Sequence, residues 1–281
     1  MGDLKKDAEF GSPCRLVSPL LRKLHDDLGW RPSRPGGSGM NARLRADLHV
    51  HTQEAEPSIA YSAREMIARA AREGYRVLSI TNHDAITFSD DLAAYARDHD
   101  ILLIPGVEAT VEGRHVLVYN ADVAADKLRT FADLRRYRTP EWLIAAPHPL
   151  FPASYCLRER LWQEIDLFDA IEFSHFYTPR LDFNRGAVKL ARAVGLPLLG
   201  TSDSHLDEQF GTTFSLIEAE RSVESVLTAI KQGRLSVVSR PLSLGRCLSI
   251  VARQAMAAAR ESARTRLRTS RRSPETILTP R

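Results

Sequence analysis

The chain has 281 residues, with a hydrophobic content of 43% and a charged content of 26%, which is a globular composition and too long for a minimal domain. The net charge of +4 is distributed unevenly along the chain. The segment from Arg240 onward carries ten arginines against two glutamates, a net charge of +8, which leaves the rest of the chain with a net charge of −4. Three scattered cysteines, Cys14, Cys156 and Cys247, form no CxxC pair and argue against a disulfide framework. No apolar run approaches the roughly 18 residues of a membrane helix, so we expect a cytoplasmic protein without a transmembrane segment.

Residues 1–43 form a lead-in with few structural signals. The stretch 31–40, RPSRPGGSGM, has the proline, glycine and serine content of a linker. We predict one folded domain over residues 44–240, followed by a basic C-terminal segment, 241–281. That segment contains an amphipathic helix over 247–268 and ends in a disordered tail.

From residue 44 onward, short apolar runs alternate with amphipathic helical patterns. The predicted strands are 44–50, 75–80, 101–108, 114–120, 142–148, 169–175, 196–205 and 234–239. The predicted helices are 62–74, 90–100, 158–169, 184–195 and 222–234. Strands that alternate with helices predict an α/β fold with a mainly parallel sheet. About eight such units favour a closed barrel over an open sheet, although periodicity alone leaves that choice open.

The first predicted strand ends in a pair of histidines, His49 and His51, within the stretch ADLHVHTQEAE (46–56). Because side chains alternate across a strand, both imidazoles lie on the same face. A buried sheet face tolerates two polar rings only when each ring finds a partner. This pair therefore indicates a functional partner at the end of the strand.

Most of the other histidines stand in the same kind of position. Of the nine in the chain, seven lie within or just after a predicted strand: His49, His51, His83, His115, His148, His175 and His205. Carboxylates share this placement: Asp47, Asp84, Glu108, Glu172 and Asp203. Since the carboxyl ends of parallel strands converge on one face of an α/β fold, we expect these side chains to gather into one cluster.

The chemistry of this cluster is that of a metal site. Neutral imidazole and carboxylate are the ligands of Zn²⁺, Mn²⁺ and Fe²⁺. Without metal, several imidazoles would lack partners and neighbouring carboxylates would repel each other. Because one ion takes about four protein ligands, the number of residues indicates more than one ion. A lone histidine such as His115 or His175 is more often a hydrogen-bonded structural residue, so the interpretation depends on the joint pattern.

Six short motifs, taken in order, resemble those of the PHP (polymerase and histidinol phosphatase) superfamily. They are DLHVHT (47–52), TNHD (81–84), PGVE (105–108), RHVLVY (114–119), PHP (147–149) and TSDSH (201–205). The resemblance covers roughly residues 44–239. It implies a distorted (β/α)7 barrel of the TIM-like type, with two or three divalent ions (Mn, Zn or Fe) in its mouth. It also implies a metal-dependent phosphoesterase.

The resemblance further implies which residues bind the metals. The ligands would be His49, His51 and Asp203 for the first ion, Glu108 as a bridge to the second, His115 and His148 for the second, and His83, His205 and Glu56 for the third. The segment EAEPSIAYSARE (54–65) is longer than its counterpart in the family and differently built. Glu54 is therefore a rival of Glu56, and the choice between two and three ions stays open.

The resemblance also implies that metal-activated water attacks phosphorus while a histidine or the third ion assists the leaving oxygen. His205 and His175 are the candidate catalytic residues. Many relatives carry asparagine near the position of His175, so this residue is equally an extra ligand or a substrate contact. Three arginines near the expected mouth are candidates for binding a phosphate or the rest of the substrate: Arg158, Arg180 and Arg185. Each arginine alone is more often a solvated surface charge.

The leading interpretation is a phosphoesterase or phosphatase that acts on a small phosphorylated molecule, a nucleotide or a short nucleic acid. A metal-dependent hydrolase of another bond, an amide or a lactone, is the second interpretation, because an activated hydroxide is not selective in itself. The third is a non-catalytic domain that binds nucleic acid or a partner, with weak support from the arginine-rich tail. The simpler interpretation of the tail, which we favour, is a terminal helix that packs on the barrel and is followed by a solvated end. The sequence does not give the oligomeric state.

Overall fold

The structure of the chain is a computed structural model that describes residues 43–256. The predicted lead-in over 1–43 lies outside the described residues except for Arg43, which is the first residue of a strand. The predicted disordered tail and the predicted C-terminal helix beyond residue 256 also lie outside the described residues. The described part of that helix begins at residue 244. Within residues 43–256, no helix is long and apolar enough to cross a membrane.

Two five-stranded sheets form the centre of this α/β fold. The strands are β1 (Arg43–Val50), β2 (Val77–Ile80), β3 (Leu102–Leu103), β4 (Gly106–Val111), β5 (Arg114–Tyr119), β6 (Leu143–Ala146), β7 (Ala170–Ser174), β8 (Leu198–Thr201), β9 (Thr213–Glu218) and β10 (Leu235–Ser239). The first sheet has the order β10-β9-β1-β2-β3, and the second has the order β4-β5-β6-β7-β8. The pairs β1–β2, β2–β3, β6–β7 and β7–β8 are parallel, and the other four pairs are antiparallel.

The expectation of a mainly parallel sheet is thus wrong for half of the strand pairs. Glu112 and Gly113 connect β4 to β5, and both have positive φ, 49° and 74°. Such a two-residue connection matches a type I′ hairpin turn, which returns the chain antiparallel to itself. The predicted strand over 101–108 is also divided, because Pro105 lies between β3 and β4 and has no N–H to donate to a ladder.

Hydrogen-bonded ladders do not close the two sheets into one barrel in the described part of the chain. Two isolated bridges join the sheets instead: Val50 at the end of β1 pairs with Ser204, and His83 after β2 pairs with Glu108 in β4. The backbone N–H of His51 also donates to the carbonyl of Ser204 at 3.1 Å. The carboxyl ends of β1 and β2 therefore lie next to β4 and to the loop that follows β8.

The helices follow the predicted pattern with two exceptions. Their bounds are α1 (Ala63–Arg72), α2 (Asp90–Asp98), α3 (Phe131–Tyr137), α4 (Glu159–Gln163), α5 (Asn184–Val194) and α6 (Val223–Lys231). Helix α1 begins where Ser62 forms a capping box with Glu65, and it buries Met66 and Ile67. Helix α3, like strand β9, is additional to the predicted elements. The helix predicted over 158–169 is shorter, because α4 is followed by a separate 3₁₀ turn.

Apolar side chains from both sheets pack into a shared core beneath the strand ends. Leu48 from β1 and Val77 from β2 belong to the same buried cluster as Leu117 from β5 and Leu199 from β8. Gly200 allows β8 to approach the first sheet, since a Cβ atom there would lie 2.6 Å from Val237 Cγ1 in β10. This packing holds the carboxyl ends of strands from different sheets in one place.

Candidate metal centre

Four polar side chains meet where β1, β4 and the loop after β8 come together. His49 and His51 come from the end of β1, Glu108 from β4 and Asp203 from the loop. The Nε2 atoms of the two imidazoles lie 3.0 Å apart, and each lies 3.2 Å from Glu108 Oε2. Each also lies 3.4 Å from Asp203 Oδ1. We call these four residues the first group.

The first group fits a divalent cation. The Nδ1 atoms of His49 and His51 donate to Glu172 at 2.7 Å and to Glu56 at 2.6 Å, so in the neutral rings both Nε2 atoms carry lone pairs. Two lone pairs and two carboxylate oxygens that face each other repel unless a cation or a proton lies among them. Asp203 Oδ1 is buried and has no hydrogen-bond partner in residues 43–256. Two imidazoles and two carboxylates are a donor set for Zn²⁺, Mn²⁺ or Fe²⁺.

A second group forms around the other oxygen of Glu108. His115 Nδ1 lies 2.8 Å from Glu108 Oε1, and His148 Nε2 lies 3.1 Å from the same oxygen. His115 comes from β5, and His148 follows β6. The carboxylate of Glu108 therefore faces the first group through Oε2 and the second group through Oε1. A carboxylate placed in this way would be able to hold a cation at each of its oxygens.

A third group surrounds Glu56. Its Oε1 atom lies 2.9 Å from His83 Nδ1, and its Oε2 atom lies 3.5 Å from His205 Nε2. The rival residue, Glu54, is engaged elsewhere, because its carboxylate accepts the backbone N–H of Ala63 at the start of α1. Of the two acids, Glu56 is thus the one that lies with the histidines. All nine predicted ligands lie in these three adjoining groups.

Comparisons with known proteins find partial matches in sequence and broader matches in fold. A family model described as PHP-associated matches residues 182–235. A segment covering 27% of the chain is 30% identical over 77 residues to the PolC-type DNA polymerase III of Lactococcus lactis, and it spans only 5% of that polymerase. The fold resembles a two-domain protein from Bacteroides vulgatus that contains a predicted PHP-like metal-dependent phosphoesterase, with a TM-score of 0.56 and 18% identity over 75% of this chain and 70% of that one. The matches in sequence each cover a minor part of the chain, whereas the likeness in fold extends over most of it.

A second solved structure shows how far the fold extends. PsfC from Pseudomonas syringae superimposes with a TM-score of 0.53 and 16% identity, over 78% of this chain and 99% of PsfC. An identity this low supports a shared fold, and function has to be argued from the site itself.

Buried charges within the three groups shift the pKa values of one another's side chains. Burial disfavours the charged form of Glu108, yet His49 and His83 hold the pKa of its carboxyl well below its usual range. Burial likewise disfavours the imidazolium of His83, but the carboxylates of Glu108 and Glu56 raise its pKa to about 9. The metal-free cluster therefore keeps protons on imidazoles near neutral pH, and an incoming cation has to displace them.

Two of the predicted ligands have strained backbones. His148 has a φ of 28° and Asp203 a φ of 44°, in the left-handed region that residues with a Cβ atom seldom adopt. Such conformations cost free energy and persist where the surroundings over-determine them, most often at functional sites. In this conformation the ring of His148 faces Glu108, and the carboxylate of Asp203 faces His49 and His51.

Buried side chains contact the Nδ1 atoms of His49 and His148, on the opposite side of each ring from Glu108. Glu172 accepts the Nδ1–H of His49, the hydroxyl of Thr201 and the backbone N–H of His148. Cys156 Sγ lies 3.3 Å from His148 Nδ1. Partners of this kind fix the tautomer and the direction of a ligating ring. The sequence marked Glu172 only as an acid at the end of a strand and gave no signal for Cys156.

The two predicted catalytic histidines lie in different surroundings. His205 is partly exposed, with its ring Nδ1 3.4 Å from Asp203 and its Nε2 3.5 Å from Glu56. His175 is buried beyond the end of β7, and burial lowers its pKa to about 4. The structure therefore brings His205 into the third group and places His175 beside the cluster without a carboxylate partner among the described residues.

The three predicted substrate-binding arginines are exposed. Arg158 precedes α4, Arg180 lies between β7 and α5, and Arg185 lies in the first turn of α5 with its Nε 3.9 Å from Asp182. Among the described residues, no hydrogen bond or ion pair joins them to the three groups. Their role in substrate binding stays a prediction.

Proposed function

We propose that this chain is a PHP domain and a metal-dependent phosphoesterase that hydrolyses a phosphate monoester or a phosphoester of a nucleotide or short oligonucleotide. The observation that carries the proposal is the geometry of Glu108, with one oxygen among His49, His51 and Asp203 and the other beside His115 and His148. Pairs of cations about 3.5–4 Å apart serve phosphoryl transfer by facing both the attacking and the leaving oxygen.

Two or three divalent ions, manganese, zinc or iron, would supply Lewis acidity and lower the pKa of a coordinated water. The protein's own residues determine where that chemistry takes place. Glu108 and Asp203 provide the negative charge that retains the cations, and Glu172 keeps His49 turned toward them. Because His49, His51 and Glu108 are buried, electrostatic interactions in the first group gain strength, while the partly exposed Asp203 leaves a path for water.

His205 is the proposed proton donor to the leaving oxygen, since it is partly exposed at the edge of the cluster and lies near two carboxylates. Arg158, Arg180 and Arg185 are the proposed contacts for a second phosphate or for the remainder of the substrate. All three have room to reorient when a substrate binds, because their side chains are exposed.

We also propose that seven strands, β1, β2 and β4 to β8, form the distorted (β/α)7 barrel of the domain. The bridges Val50–Ser204 and His83–Glu108 support this by linking the two sheets at both seams. The domain boundaries proposed for this unit are 44–240, in line with β1 beginning at Arg43 and β10 ending at Ser239. The local similarity to a PolC-type DNA polymerase supports including oligonucleotides among the substrates to be tested.

The test uses purified protein that is stripped with a chelator and reloaded separately with Mn²⁺, Zn²⁺ or Fe²⁺. Aryl phosphate monoesters, aryl phosphate diesters and a short oligonucleotide form the substrate panel, with an aryl amide and a lactone as competitors. We expect a phosphoester to be cleaved in a metal-dependent way, and Glu108→Gln and His49→Ala to remove that activity. Glu218→Gln is the matched control, because Glu218 pairs with Arg43 at the opposite end of β1.

Equal rates for Glu108→Gln and the wild type would contradict the assigned site. Faster cleavage of the amide or the lactone than of every phosphoester would instead identify the second interpretation, a hydrolase of another bond. Absence of any metal-dependent turnover, together with salt-sensitive oligonucleotide binding, would identify the third interpretation.

A further inference from the structure

His175 occupies an unusual position for a histidine beside a metal cluster. It follows β7, is 2% exposed, and lies within electrostatic range of Asp203, Glu172 and His49. Its Nε2 atom lies 2.9 Å from Nε2 of Gln209, and its Nδ1 atom has no hydrogen-bond partner in residues 43–256. The role of this ring depends on which of its two nitrogens carries the proton.

The orientation of the Gln209 amide answers that question. Its Oε1 atom accepts two backbone N–H groups, from His205 at 3.0 Å and from Leu206 at 2.7 Å. Its Nε2 atom donates to the carbonyl of Asp203 at 3.2 Å. In the flipped orientation an amide N–H would face two backbone donors, and two oxygens would face each other. Three hydrogen bonds therefore agree on one orientation of the amide.

This orientation fixes the tautomer of His175. The amide nitrogen of Gln209 is a donor, so the facing Nε2 atom of His175 accepts and carries no proton. The ring proton then resides on Nδ1, where it is a buried donor that the described residues leave unpaired. A buried donor without a partner is costly and is often a donor that a ligand completes.

We propose that Gln209 is a positioning residue that holds His175 as the neutral Nδ1–H tautomer, and that this N–H donates a hydrogen bond to an oxygen of the bound substrate. The proposal rests on the proposed function, which makes that oxygen a phosphoryl oxygen. A fixed neutral donor stabilises negative charge on an oxygen without adding a second cation to the site.

The same geometry separates the three roles that the sequence left open for His175. A metal ligand at Nδ1 would need a bare Nδ1 and a proton on Nε2, and that proton would point at the amide N–H of Gln209. An imidazolium that transfers a proton would create the same conflict. Hydrogen bonding to the substrate is the role that is compatible with Gln209, and proton transfer is left to His205.

The tautomer can be read directly by nitrogen–proton correlation spectroscopy of ¹⁵N-labelled protein loaded with Zn²⁺, with His175→Gln used to assign the ring. We expect the wild type to show Nδ1–H. Gln209→Glu retains an oxygen for the two backbone donors but turns an acceptor toward His175, so we expect the proton to move to Nε2. A wild-type ring with Nε2–H, or with both nitrogens protonated, would overturn the assignment without any substitution.

The donor role is tested with inorganic phosphate as the probe. We expect phosphate to shift the Nδ1 resonance of His175 and to bind several-fold more weakly to His175→Gln, with an unchanged zinc content. A loss of one zinc ion in His175→Gln, or unchanged phosphate affinity, would overturn the donor role. Phosphate binding with the expected shift but without turnover of any phosphoester would refute the proposed function and leave this inference standing.

Discussion

Replacing Glu172 with glutamine should weaken metal binding without unfolding the protein. The three partners of Glu172, the Nδ1–H of His49, the hydroxyl of Thr201 and the backbone N–H of His148, all donate to its carboxylate. A glutamine offers one oxygen and one NH₂ group in their place. If the NH₂ group faces the backbone N–H of His148, two donors face each other. If it faces His49, the ring proton has to move to Nε2, and that nitrogen no longer has a lone pair for a cation.

The size of the effect follows from these bonds. A hydrogen bond to a charged group contributes about 1.5–3 kcal/mol. Substitutions behind metal-ligating histidines cost about 10- to 100-fold in metal affinity, which corresponds to about 1.4–2.7 kcal/mol. Because Glu172 contacts a residue from each of the first two groups, we expect Glu172→Gln to lie at the upper end of that range.

Metal affinity is measured by competition with a chromophoric chelator, and folding is monitored by circular dichroism of the metal-free protein. Glu218→Gln is the matched control, since it makes the same chemical change at a surface ion pair with Arg43. A Glu172→Gln protein that is folded and binds Zn²⁺ as tightly as the control would refute the assignment of Glu172 as the residue that orients His49.

The remaining predictions concern the protons released on zinc binding, the number of bound metal ions and the thiol of Cys156. Zn²⁺ uptake at pH 7 should release protons, because the pKa of His83 is raised to about 9 in the metal-free fold; binding heats that are equal in two buffers of different ionisation enthalpy would contradict this. The same shift predicts that the metal-free protein loses stability as pH rises from about 6.5 through about 9, which a series of thermal melts would show as a falling Tm. Glu56→Gln should lower the metal content by one ion while Glu54→Gln leaves it unchanged, and equal metal contents by elemental analysis would refute the choice between these acids. Cys156→Ala should weaken metal binding several-fold by freeing the ring of His148, and an unchanged affinity in the chelator assay would show that the thiol does not orient it.

The sequence predicted the strand ends better than the strand pairing. His49 and His51 are two residues apart in a strand, which predicted that their rings share a face. Their Nε2 atoms lie 3.0 Å apart. Glu112 and Gly113 separate two predicted strands by a short connection with a glycine, which is typical of a hairpin turn. The general alternation of strands and helices nevertheless favoured parallel pairing. Helices with strong caps, such as α1, were placed to within two residues.

Strand β9 was not predicted from the sequence, because its inward-facing side chains are mostly polar. Its buried positions are Thr213, Ser215 and Ile217, so two of the three inward side chains are polar and the alternation of hydrophobicity is lost. Both polar side chains are paired inside the fold, Thr213 with the hydroxyl of Ser239 and Ser215 with the backbone of Gly200. Such pairing depends on contacts distant in sequence, which a local pattern does not contain.

The candidate ligands could be proposed from sequence because most of them lie in or just after a predicted strand and within short motifs, whereas their supporting residues could not. Glu172 is 123 positions from His49, and Gln209 is 34 positions from His175. The side chains of Glu172, Gln209 and Cys156 are ordinary in their local sequence. Their roles arise only when the fold brings a specific atom within hydrogen-bond distance of a ring nitrogen.

Crystals of the protein grown with Zn²⁺ and measured at the zinc absorption edge provide the most direct test of the metal centre. We expect at least two anomalous peaks about 3.5–4 Å apart, one on each side of the Glu108 carboxylate. The first should contact His49 and His51, and the second should contact His115 and His148. A Glu108 carboxylate that contacts no zinc ion, or a single ion held without it, would contradict the account.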